Sequence, residues 1–150
     1  GLHTSEARAR LVALHAAMPA ALTRGVAPYP HVRTALERAV ARGLRVVVLS
    51  DYDPGDKLRW LGLDDLPWSL VLGCDVLGAL KPHARGFLAV AERLELSPGQ
   101  VLHLGDREDL DVEGALGAGL RAWRLGRSRA PTRAERVVRA WSADMFDALG

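Results

Sequence analysis

Four short apolar runs, at residues 44–49, 69–74, 101–104 and 120–125, constrain this chain more than any other feature. The first, β-branched and too short for a helix, is too uniform for a strand with one wet face and reads as a buried parallel strand, and the other three are read the same way. Helical patterns lie between and after them, at about 55–62, 83–95, 110–118 and 132–148. Strands alternating with helices predict an α/β fold with a doubly wound parallel sheet. Two helices precede the first strand. One runs from about 5 to 23, with Thr4 or Ser5 as its cap. The other begins at Pro30, buries Val32, Ala35, Leu36, Ala39 and Val40 on one stripe, and stops at Gly43.

Composition narrows the function classes. A length of 150 residues suits one domain, and 20 basic against 18 acidic residues give a formal charge of only +2, interleaved through the chain. That balance calls for no nucleic acid. The arginines at 121, 124, 127, 129, 133, 136 and 139 form the clearest basic excess, but no aromatic platform is interleaved with them, so they read as a solvated helical face and tail. The single cysteine, Cys74, cannot form an internal disulfide, and no apolar run is long enough to span a membrane. A cytoplasmic protein without membrane or nucleic-acid partners is expected, and the first ten residues carry no export signal.

In doubly wound sheets ligands bind beyond the carboxyl ends of the strands, so the residues just after each strand carry the functional signal. Here they are Ser50-Asp51-Tyr52-Asp53 after the first run, Lys81-Pro82 after the second, and Gly105-Asp106 through Asp109 and Asp111 after the third. A hydroxyl and an amide to hold phosphoryl oxygens, an ammonium to offset their charge, and carboxylates to hold Mg²⁺ form a coherent set for phosphate chemistry. His103 and Cys74 sit inside apolar runs and read as core residues. His3, His15, His31 and His83 are not spaced as a metal site.

The order and surroundings of these residues resemble the haloacid dehalogenase superfamily, over about residues 28 to 125. The resemblance rests on Val46 through Ser50-Asp51, Lys57-Leu58, Leu61-Gly62-Leu63, Gly78 through Lys81-Pro82, Phe87, Leu104-Gly105-Asp106, Asp111 through Ala115, and Ala118-Gly119. It is nearest the branch with a helical cap that includes phosphoglycolate-phosphatase-like enzymes. The resemblance implies that Ser50 and the Asp51 amide bind phosphate and that Lys81 neutralises the phosphoryl group and the nucleophile. It further implies that Asp106 is a Mg²⁺ ligand, and that Asp111 is a second acidic member acting directly or through water. The substrate implied is a small phosphorylated metabolite. By the same resemblance residues 1–27 are a cap remnant and 28–150 a partial core.

The family's nucleophile comes from an Asp-x-Asp motif after a first strand, expected upstream of everything named above, yet residues 1–50 contain no aspartate. Asp51-Tyr52-Asp53 has the right letters. Taking it as that motif would leave no strand ending in a hydroxyl before Lys81, because the run at 69–74 ends in Gly73-Cys74-Asp75. The chain is therefore expected to lack the nucleophile and to be inactive alone, or to serve as a non-catalytic binding or interaction module. A receiver domain phosphorylated on aspartate uses similar residues in another order, acidic pair first. In the family the first strand lies centrally, between the strands bearing Ser50 and Asp106. Its absence leaves two inner edges open, at about 1–3 kcal/mol for each buried unpaired group. Rearrangement, self-association, a complementing N-terminal segment, or marginal stability is expected to follow.

Overall fold

The structure, a computed structural model, describes residues 27–147 and 149. The helix expected at 5–23 and its assignment to a cap lie outside the described residues. In chain order the described elements are α1 (Val32–Ala41), β1 (Val47–Ser50), α2 (Gly55–Trp60), β2 (Leu70–Gly73), α3 (Ala84–Arg93), β3 (Leu102–Gly105), α4 (Glu113–Gly117), β4 (Arg121–Leu125) and β5 (Arg136–Val138). Among the described residues no helix is long and apolar enough to cross a membrane.

α1 starts two residues after Pro30, because His31 takes a left-handed conformation (φ 65°) and turns the chain into the helix. Its end is fixed by Gly43 at φ 82°, where the Gly43 amide donates to the Val40 carbonyl and the Leu44 amide to that of Ala39. This paired closure satisfies carbonyls that the helix leaves without partners. α2 and α4 close in the same way at Gly62 and Gly119, whereas α3 closes on Glu95, held at φ 55°. A side chain in the left-handed region costs about 1 kcal/mol. Glu95→Gly is therefore expected to stabilise the fold by about 0.5–1 kcal/mol, read as a higher urea midpoint at unchanged slope.

All strand pairs are parallel, and helices or the C-terminal segment pack on both sides of the sheets, although Val71 of β2 and Val137 of β5 remain exposed. On one face α1 and the C-terminal segment bury Ala35, Leu36, Trp123, Leu125 and Met145, with Val48 and Leu104 packed against them. On the other, α3 and α4 bury Phe87, Val90, Leu94 and Ala115 against Leu49, Leu72 and Ala122. Packing on both sides is why these runs are mainly apolar.

The strands form two sheets. β1 pairs with β2, in register from Val47 with Leu70 to Ser50 with Gly73. β3, β4 and β5 form the second sheet, in that order, with Leu102 opposite Arg121 and Trp123 opposite Arg136. No strand among the described residues joins β1 to β3. Among the described strands, the second edges of β1 and β3 have no ladder partner.

Two expectations need correction. The segment read as a helix at 132–148 forms β5 followed by turns at 143–147. The outer edge of β4 offers ladder hydrogen bonds that β-branched Val137 and Val138 can use, and Val138 and Met145 bury on the Trp123 side of the sheet. The arginine-rich stretch is also not a uniformly solvated face. Arg124 is buried, donating to Glu108 and to the carbonyls of Ser128 and Ala130, and the Arg136 guanidinium lies 4.9 Å from the centre of the Trp123 ring. Only Arg124 is drawn inward by its position on β4; Arg136 stays exposed over the ring.

Candidate active site

The loops after β1, after β2 and after β3 meet at Lys81. Its backbone amide donates to Asp51 Oδ1 at 2.8 Å, and its ammonium lies 2.5 Å from Asp111 Oδ1. The side chains of Lys81 and Asp111 are only 13% and 6% exposed. A buried ion pair of this kind is tolerable only when further hydrogen bonds satisfy its members. Asp111 has them: His103 Nε2 lies 3.2 Å from Oδ1, and the Arg107 amide donates to Oδ2 at 3.0 Å. Burial by itself would raise the Asp111 pKa. The hydrogen bonds from His103 and Lys81, the Lys81 charge and the Arg107 amide outweigh it and hold the carboxyl well below the usual range.

Local structure explains how Asp111 arrives there. After β3 the chain makes a π-helical turn, Glu108–Val112, with the Asp111 and Val112 amides both donating to the Arg107 carbonyl. This wider turn replaces the start of the helix expected at 110–118 and swings Asp111 back over the end of β3. Its side chain lies against Gly105, where a Cβ would overlap the Asp111 Cβ and Cγ. A glycine is required at this position for the close approach.

Ser50 is the last residue of β1 and, with Lys81, lines the cavity between the two sheets. Asp51 is half-buried, and besides holding the Lys81 amide its carbonyl accepts from the Asp75 amide. Asp53 caps its own turn by accepting from the Gly55 amide. Asp106 is exposed immediately after β3. The rest of the acidic cluster does not converge on Lys81. Asp109 pairs with Arg107, Glu108 accepts from the Arg133 amide and from Arg124, and Glu113 is exposed. Cys74 is fully buried with its thiol pushed up to about 11, first by burial and then by the Asp51 charge, which keeps it a packing residue.

His103, read from the sequence as a core residue, does pack, edge-on against Phe87 with ring centres 5.1 Å apart. It also touches Asp111, a contact the sequence did not reveal. The available signal was its place three residues before Asp106, on the strand face that Asp111 covers.

Among the described residues no three His, Cys, Asp or Glu side chains gather into a ready metal cage. The residues do fit a cation that is held by one or two carboxylates, waters and a substrate phosphate, which is how Mg²⁺ is usually bound. Asp106 and Asp111 are hard oxygen donors on either side of one turn, and a carboxylate with two hydrogen-bonded oxygens still has lone pairs to offer.

A family model for haloacid dehalogenase-like hydrolases matches residues 3–119, and the chain belongs to that family. It is 40% identical over 104 residues to Phosphatase MT3486 of Mycobacterium tuberculosis (strain CDC 1551 / Oshkosh), an alignment covering 67% of this chain and 47% of that protein. It is 32% identical over 93 residues to the phosphoglycolate phosphatase of Escherichia coli (strain K12), covering 61% and 36%. The crystal structure of a HAD phosphatase from Thermococcus onnurineus matches with a TM-score of 0.72 at 28% identity, over 81% of this chain and 58% of that one. The chain thus spans half or less of the length of these curated relatives.

Proposed function

We propose that this chain carries the phosphate-holding and cation-holding part of a Mg²⁺-dependent phosphohydrolase site for a small phosphorylated metabolite, without its nucleophile. The observation that carries this reading is the double anchoring of Lys81, by its amide to Asp51 and by its ammonium to Asp111. An ammonium fixed at the carboxyl ends of parallel strands is placed to offset phosphoryl charge. The Ser50 hydroxyl and the Asp51 amide donate to phosphoryl oxygens, and Asp111 aims Lys81. Asp106 and Asp111 hold the Mg²⁺, which when bound supplies further charge neutralisation. Relatives named as phosphatases, one of them for phosphoglycolate, support the substrate class.

The first aspartate in the sequence is Asp51, and its Oδ1 is engaged with the Lys81 amide, which favours a structural role for it over attack on phosphorus. Loss of the nucleophile in another hydrolase costs on the order of 10⁶ in turnover. The chain alone is therefore expected to show no chelator-sensitive hydrolysis of an aryl phosphate above its Lys81→Ala variant. It is also expected to bind inorganic phosphate with Mg²⁺, about tenfold more weakly after Lys81→Ala, as for loss of one charge-assisted hydrogen bond. Turnover that requires both Mg²⁺ and Lys81 would make Asp51 the nucleophile and overturn the assignment. The missing aspartate also favours a second reading, a binding module. Phosphate binding without turnover, even after a strand bearing an aspartate is supplied, would select it.

A further inference from the structure

β4 buries Ala122, Trp123 and Leu125, and among them stands Arg124, whose side chain is only 5% exposed. An apolar side chain there would avoid the cost of desolvating a guanidinium, which directs attention to what Arg124 holds. Arg124 pairs in register with Gly105 of β3, and side chains at paired positions of parallel strands leave the sheet on one face. That is the face on which Asp111 lies over Gly105. From there Arg124 Nη1 reaches Glu108 Oε2 at 3.3 Å, and Nη2 donates to the carbonyls of Ser128 and Ala130 at 2.9 and 3.2 Å. Glu108 accepts the Arg133 amide on its other oxygen at 2.8 Å and hydrogen-bonds with the Thr132 hydroxyl. Glu108 also opens the π-helical turn that ends at Val112. One side of that turn is thus tied to the loop after β4, and the other, through Asp111, to Lys81.

We propose that Arg124 and Glu108 are positioning residues of this site: they clamp the π-helical turn against the loop at 126–133 and so keep Asp111 aimed at Lys81. The inference deepens the phosphate reading and rests on it, because the pair being positioned is the one assigned there to phosphate and Mg²⁺. Arg124 and Glu108 act through the turn. Side chains that hold a cation's ligands from one layer further out typically change affinity or activity by about 10–100-fold when removed. Two backbone amides separate the turn from the rest of the site. The Arg107 amide donates to Asp111 Oδ2 and so reports where the turn places that carboxylate. The Lys81 amide donates to Asp51, on another loop, and reports that the remainder of the site is intact.

The test combines amide hydrogen exchange of the phosphate-free chain with titration by inorganic phosphate in Mg²⁺. It is run on Glu108→Ala, Arg124→Met, the double variant, and Arg121→Met as a control. Arg121 pairs with Glu135 at 3.0 Å, at the opposite end of β4 from the turn. Each single variant is expected to speed exchange of the Arg107 amide at least about tenfold, to leave the Lys81 amide as it was, and to weaken phosphate at least about tenfold. The double variant is expected to bind no more weakly than the poorer single variant, because the two side chains act as one device. Arg121→Met is expected to change neither readout. A purely structural role would lower the unfolding midpoint and leave the phosphate affinity of the folded chain unchanged, which would overturn the proposal. An unmoved Arg107 amide, losses that add in the double variant, or an equal loss in Arg121→Met would overturn it as well. If Arg124→Met does not fold, Glu108→Ala, at a side chain 27% exposed, decides by the same two readouts. If the unaltered chain binds no phosphate, the phosphate reading fails and the Arg107 amide still decides the positioning. Phosphate binding with an unmoved Arg107 amide does the reverse.

Discussion

Asp111→Ala is expected to cost about 3–5 kcal/mol, because it leaves the Lys81 ammonium largely buried beside no carboxylate. Against a typical total of about 5–15 kcal/mol, that is enough to bring the domain near its unfolding threshold. Urea denaturation at pH 7 checks it. Removing both charges separates packing from function: Lys81→Met with Asp111→Leu is expected to recover most of the lost stability while leaving phosphate binding at least about tenfold weaker. The acid limb of stability carries the same signature. The folded Asp111 carboxyl titrates below its unfolded value of about 3.9, so its contribution is complete above about pH 5 and is lost as pH falls below about 4. The Asp111→Ala variant is expected to lose that part of the acid transition.

Phe87→Ala is expected to destabilise by about 3–5 kcal/mol through loss of buried contact and the cavity left behind. Phe87 is fully buried and packs with Val112, Ala115, Leu120 and Ala122. Its ring also meets His103 edge-on, and a Cβ on Gly114 would lie 2.7 Å from it. One ring therefore joins α3 to α4 and supports the histidine that touches Asp111. The expected result is a lower unfolding midpoint together with weaker phosphate binding in the fraction that remains folded. Phe87→Leu, which fills most of the space, is expected to lose well under half as much.

Much of this arrangement was legible in the residue order. The short apolar runs marked the parallel strands, and Gly43 marked the end of α1. The order Ser50, Lys81, Asp106 identified the family that the comparisons then showed. Burial on both faces leaves a periodic trace, and so does a glycine needed for a left-handed turn. Strand edges leave none, which is why the pattern at 132–148 read as a helix although the open edge of β4 makes part of it a strand.

The sequence by itself determined the parallel α/β layering and the set of residues available for phosphate, because both follow from local periodicity and from the position just after each strand. Only the tertiary structure decided which acidic residue serves Lys81. Asp106, Asp109, Asp111 and Glu113 look alike in the sequence, and it is the π-helical turn over Gly105 that turns Asp111 toward Lys81 while Asp109 pairs with Arg107. The tertiary structure likewise decided that the strands divide into two sheets, because backbone pairing between distant segments depends on which edges meet in space.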